Sequence, residues 1–138
     1  MLRTIFGIIA GLLTWTLLVT LMNWGLRRWM PGYAEAEPAM AFSLGMQIAR
    51  LLMAMFASLL AGAAVRAVAP RSVRAPWIAG AVLVALFVPA HVHLWERFPL
   101  WYHLTFLLTL APLIALGARF ASRPMQAQLD RAQPRGVE

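Results

Sequence analysis

Long apolar runs alternate with short polar breaks along this chain, and that alternation predicts its architecture. Four segments keep a mostly apolar character for about 20 residues, the length a helix needs to cross the hydrocarbon core of a bilayer. They are 4–26 (TIFGIIAGLLTWTLLVTLMNWGL), 45–65 (GMQIARLLMAMFASLLAGAAV), 77–95 (WIAGAVLVALFVPAHVHLW) and 100–118 (LWYHLTFLLTLAPLIALGA). Arginines punctuate them: Arg3 before the first and Arg27–Arg28 after it, Arg66 after the second, Arg119 after the fourth. The pattern predicts an all-α polytopic membrane protein, with four transmembrane helices in an antiparallel bundle over residues 1–120. A polar tail follows at 121–138, expected to be disordered or to form at most a short frayed helix around 125–132. The first run is too long for a signal peptide and no small-x-small cleavage pattern follows it, so it reads as a retained anchor.

Composition supports this reading. Of 138 residues, 62% are hydrophobic and only 12% charged. Soluble domains carry about 25% charge, so this inventory cannot build a water-facing surface. The chain has no cysteine, which excludes disulfides, thiolate metal sites and cysteine nucleophiles. All 12 basic residues are arginine, and against 5 acidic ones they give a net charge of +7. Its distribution follows topology, so no nucleic-acid partner is needed to explain it. Eight arginines (3, 66, 71, 74, 119, 123, 131, 135) fall on one side of the predicted spans, and three (27, 28, 97) on the other. Positive residues accumulate in cytoplasmic loops, so both termini are expected inside, against anionic lipid headgroups. Trp24, Trp29, Tyr33, Trp95, Trp101 and Tyr102 gather at the opposite boundary, where amphipathic rings favour the headgroup level.

Small and polar residues mark the faces expected to pack. Gly7 and Gly11 lie four apart on the first span, and Ala54, Ala57, Ser58, Ala61 and Gly62 form a small-residue face on the second. Such residues let transmembrane helices approach closely. A polar stripe of Thr16, Thr20, Asn23 and Arg27 on the first span should meet Ser43, Gln47 and Arg50 on the second, because residues three and four apart share a helical face. Pro89 and Pro112 interrupt spans three and four, where each removes a backbone donor and favours a kink.

Arg50 is the residue most in need of an explanation. It lies about 7–8 Å inside the outer boundary of its span, taking 1.5 Å per residue. An arginine at mid-bilayer costs from about 2.5 to above 10 kcal/mol, depending on how the cost is measured. Either its side chain snorkels to the headgroups, or it turns inward to Gln47, Asn23 or backbone carbonyls, where it could hold an anionic group. All three histidines fall within HVHLWERFPLWYH, 91–103. His91 and His93 are two apart and point to different faces. His93, Glu96 and His103 come to similar depth across the short ERFP turn, the one set here able to hold zinc or ferrous iron. The ordinary account, histidines bonding to backbone, water or Glu96 near an interface, is preferred, and no cofactor is implied. The expected buried polar layer is therefore Asn23, Gln47, Arg50, one or both of His91 and His93, and His103.

No Ser/His/Asp arrangement, paired intramembrane carboxylates, phosphate-binding glycine loop or H-E-x-x-H occurs. FPLWYHLTFLLTLAPLIALGARF at 98–120, with the preceding RAPWIAGAVLVALFVPAHVHLWERFP, NWGLRRWMPGY and MQIARLL, resembles small uncharacterised four-helix inner-membrane proteins of proteobacteria. That resemblance covers about residues 1–120 and implies four spans in a bacterial inner membrane, with no activity to carry over. The leading functional expectation is a non-enzymatic accessory or scaffold protein that binds lipid, another membrane protein or a second copy of itself. The alternative is a binding or transport element whose polar layer takes a metal, a small molecule such as a quinone, or an anion near the periplasmic face. A membrane enzyme acting on lipid or quinone, with His93 or His103 as base, is a third.

Overall fold

The computed structural model describes residues 1–132, as five helices in the order α1 (Leu2–Trp29), α2 (Tyr33–Ala36), α3 (Leu44–Val68), α4 (Ala75–His93) and α5 (Leu100–Ala132). Four of them, α1, α3, α4 and α5 as far as Ser122, are long and apolar enough to cross a membrane. They make an all-α bundle with the cyclic order α1, α3, α5, α4, in which each helix packs chiefly on its two neighbours. The outer surfaces of these helices are apolar: Leu13, Leu17 and Leu21 on α1, Leu52 and Phe56 on α3, Leu86 on α4 and Leu108 on α5 are all exposed. In water such a surface would aggregate; in lipid it is the matching solvent.

Helix boundaries follow local chemistry. Ser43 caps α3, its hydroxyl oxygen accepting from the Met46 N–H at 3.4 Å. Pro76 occupies the first turn of α4, where a missing N–H costs nothing. Gly32 holds φ +76° between α1 and α2, a left-handed conformation that a side chain resists, and this turn brings Tyr33 back over the bundle. α4 continues through Pro89 to His93. α5 runs past the expected end of its span to Ala132, because Met125, Gln126, Ala127, Gln128 and Leu129 are good helix formers. Residues 133–138 of the polar tail lie outside the described residues.

Small residues set the helix spacing. A β-carbon on Gly62 of α3 would stand 1.9 Å from the Ile114 carbonyl oxygen, and one on Gly117 of α5 would stand 1.9 Å from the Leu59 carbonyl oxygen. The two backbones thus touch through two reciprocal glycines. A β-carbon on Gly7 would meet Ala69, and one on Gly11 would meet Val65, so these glycines seat α1 on α3. Gly80 does the same for α4 against Ala111 of α5. Ala54, Ala57, Ser58 and Ala61 are all buried along α3. Ser58 accepts a hydrogen bond from the Trp15 indole at 3.1 Å and donates to the Ala54 carbonyl at 2.7 Å, which ties α1 to α3 in mid-bundle.

Candidate functional site

At the α2 end of the bundle the packing changes from small and apolar to aromatic and polar. Tyr33, brought inward by the Gly32 turn, is fully buried. Its hydroxyl accepts from Arg50 Nη1 at 2.6 Å and donates to Asn23 Oδ1 at 2.7 Å. The Asn23 amide donates to a Glu37 oxygen at 2.9 Å, and Arg27 forms an ion pair with the other. From the opposite side Arg50 Nε reaches the Tyr102 hydroxyl of α5 at 3.4 Å, and its guanidinium carbon lies 4.6 Å from the Phe42 ring centroid. One arginine on α3 therefore joins α1, α2 and α5 through phenols and amides.

The charge balance is uneven. Burial works to raise the Glu37 pKa, but hydrogen bonds from Asn23 and Arg27 and the positive charges of Arg27 and Arg50 outweigh it and hold the carboxyl below its usual range. The Tyr33 phenol is pushed up by burial, with Arg50 opposing. Glu37 is paired with Arg27 on the exposed side. Among the described residues no carboxylate pairs directly with Arg50. Two of the five N–H donors that a guanidinium carries are used, on the two tyrosines.

Arg50 also forms part of the wall of a cavity of about 170 Å³ between α3, α4 and α5. The other walls are Phe87, Ala90, His91, Leu94, Phe98, Tyr102 and Phe106. Phe98 stacks on Tyr102 with centroids 4.6 Å apart, and His91 lies 4.7 Å from Phe106. Behind His91 is His103, buried and sandwiched against Trp95 at 5.0 Å. The two imidazoles meet Nδ1 to Nδ1 at 2.7 Å, so one donates and the other accepts. His103 Nε2 is buried and has no hydrogen-bond partner among the described residues. On the other side of Arg50 a larger cavity of about 370 Å³ runs between α1 and α3, lined by Arg50 itself with Thr20, Asn23, Trp24 and Glu37 among others.

The polar layer read from the sequence is thus assembled only in part. Asn23, Arg50, His91 and His103 come together. Gln47 instead donates to the Phe42 carbonyl at 3.1 Å within its own turn. Thr16 and Thr20 are exposed, and the Thr20 hydroxyl bonds back to the Thr16 carbonyl, because α1 turns its Gly7–Gly11–Trp15 face towards α3. His93 and Glu96 are exposed. His93, Glu96 and His103 do not converge, and no group of three or more potential metal-ligating residues is found among the described residues. The partner of His103 is His91, twelve residues away, since His93 faces outward from α4.

Tyr33, Tyr102, Glu37 and Phe98 carry much of the site and were not legible as such. Tyr33 and Tyr102 fit an interfacial belt by position, yet both are buried. A signal for Tyr102 does exist. Tyr102, Phe106, Leu110, Ile114 and Ala118 recur every four residues and are all buried, a stripe that marks the inward face of α5. Nothing comparable marks Tyr33, whose burial depends on the turn at Gly32. These features define a class, an all-α bundle of four long hydrophobic helices, largely apolar on its exterior and consistent with a membrane location. No protein-family model, curated protein or solved structure matches the chain.

Proposed function

We propose that this protein is a membrane-embedded binding element for a small, mostly apolar molecule with an anionic or hydrogen-bond-accepting head. The observation that carries this reading is Arg50, a cation that no carboxylate among the described residues pairs with directly, set in the wall of an aromatic cavity. A charge withdrawn from water is costly unless compensated, and phenol oxygens and an aromatic face compensate it only in part. An acceptor group entering from the cavity would complete the guanidinium's hydrogen bonding, while Phe87, Phe98 and Phe106 would cover the ligand's apolar part. Ligand pockets commonly combine apolar walls with a few placed polar groups in this way.

In this reading the bundle is antiparallel with both termini cytoplasmic, as the eight-to-three arginine bias favours. The Arg50 layer then lies just inside the periplasmic face of a bacterial inner membrane, and the basic inner face meets anionic headgroups. The role is binding or carriage, without catalysis. An accessory function towards another membrane protein or a second copy has less support, because the most built feature of the molecule is internal.

The test is native mass spectrometry of the full chain, released from its own membrane in mild detergent. Wild type should carry a non-covalent adduct of small-molecule mass that Arg50→Gln loses, with Arg74→Gln, an exposed arginine remote from the cavity, retaining it. Identical adducts on wild type and Arg50→Gln, or none on either, would overturn the reading.

A further inference from the structure

Resting on that reading of the cavity, we infer that its ligand class is a quinone: a flat ring with carbonyl acceptors at opposite edges and an apolar tail left in the lipid. Three observations converge on this class. The first is size. The cavity holds about 170 Å³, and an apolar cavity of about 150 Å³ admits a benzene ring. There is room for one substituted six-membered ring and not for a long chain. Ala90, one of the lining residues, is exposed on α4, so the cavity reaches the outer surface, where a tail can remain outside.

The second is wall shape. Phe87, Phe98, Tyr102 and Phe106 present aromatic rings to one small space. Phe87 and Phe106 meet nearly edge to face at 63°, and Phe98 lies almost parallel to Tyr102 at 16°. Aromatic walls of this kind stack favourably on a planar ring.

The third is the placement of donors. Arg50 lies on α3 and His91 on α4, two helices with little mutual contact across the bundle, and both line the cavity. A carboxylate or phosphate head would call for donors clustered at one end, whereas two acceptors on opposite edges of a ring match donors on separate walls. The histidine pair favours His91 as a donor. When His103 Nδ1 donates to His91 Nδ1, the buried and partnerless His103 Nε2 is a bare lone pair, and His91 carries its proton on Nε2. The opposite arrangement seals an N–H in the interior with no acceptor, the rarer and costlier orphan. His91 then has an N–H free to donate, Arg50 has donors beyond those it spends on the two tyrosines, and both residues line the cavity.

Titration of purified full-length protein in lipid nanodiscs with decylubiquinone, followed by tryptophan quenching, tests this; Trp15 touches Phe87 and Trp95 stacks on His103, so indoles flank the site. Oleate is titrated in parallel, scored by displacement of the quinone and by its own saturation curve. Saturable decylubiquinone binding is expected, weakened at least tenfold in Arg50→Gln and in His91→Phe. Ala90→Phe, which adds bulk at the cavity edge without touching a hydrogen bond, is expected to weaken it as much and keeps the test informative if a polar variant misfolds. Saturable oleate binding that depends on Arg50, with no decylubiquinone binding, would overturn the quinone class and leave the acceptor-binding cavity standing. Quinone binding indifferent to Ala90→Phe and Arg50→Gln would place the molecule elsewhere and overturn the inference. Binding of neither probe would overturn the inference and count against the cavity reading too.

Discussion

The reciprocal contact of Gly62 and Gly117 fixes how closely α3 and α5 approach, and a single methyl group tests it. In Gly62→Ala the new β-carbon would lie 1.9 Å from the Ile114 carbonyl oxygen and 2.8 Å from the Ala118 nitrogen. Ordinary contact begins near 3.4 Å, so the helices must separate by about 1.5 Å, or the carbonyl must rotate out of its hydrogen bond. The obstacle is backbone, so no flexible side chain can yield. Separation loosens the seam between α3 and α5, where Gly62 lies against the backbone of buried Ile114 and Ala118. Overpacking of a tight core costs about 1–3 kcal/mol, and a clash against main chain belongs at the upper end, near 3 kcal/mol. The internal control is Gly25→Ala, where an added β-carbon meets nothing within 4 Å. There the better helix propensity of alanine should stabilise by about 0.5–1 kcal/mol. The assay is reversible unfolding in mixed micelles of mild detergent and SDS, read by circular dichroism. The two substitutions should shift the midpoint in opposite directions. The Gly62→Ala/Gly117→Ala double variant should lose less than the sum of the singles, because one separation relieves both clashes. A Gly62→Ala midpoint within about 0.5 kcal/mol of wild type would refute the close approach of α3 and α5, since surface changes are of that size.

Four further outcomes follow from the polar and aromatic contacts. Tyr33→Phe removes the hydroxyl that links Arg50 to Asn23 and should destabilise by about 1–3 kcal/mol, the cost of leaving buried partners unsatisfied, in the same unfolding assay. Glu37 has a folded pKa below its ordinary 4.5, so the unfolded chain binds its proton first as pH falls. Its stabilising contribution is full above about pH 4.5 and is lost as pH drops through the folded value, a dependence that Glu37→Gln should flatten in midpoints taken from pH 7 to pH 3. Gly32→Val forces a β-branched residue into φ +76° and should cost about 1–2 kcal/mol while loosening Tyr33, seen as faster proteolysis in the 31–43 connection. Trp15→Phe deletes the indole donor to Ser58 while Ser58 keeps its bond to the Ala54 carbonyl, so the loss should be about 1 kcal/mol in unfolding midpoint.

How much the sequence determined by itself divides along a physical line. Span number and approximate boundaries follow from apolar length, because a helix satisfies its own backbone and needs only about 20 apolar residues to be stable in lipid. Gly7, Gly11, Ala54, Ala57, Ser58, Ala61 and Gly62 stand out in the sequence because close approach requires small residues at helical spacing, and each is buried in the bundle. Gly117 and Gly80 are the partners that spacing within one helix could not reveal; their role exists only once α5 lies against α3 and α4. The site divides in the same way. Arg50 announced itself because a charge in an apolar run demands a partner, but its partners are a tyrosine from a four-residue helix and another 52 positions away. Periodicity reports which face of a helix is inward and says nothing about which inward residues meet. His91 therefore pairs with His103, and His93, two positions nearer to it in the chain, stays outside. One-dimensional pattern encodes helix phase and membrane depth, and only tertiary structure, through the rotation and spacing of helices about one another, decides which of the polar groups at one depth share a cavity.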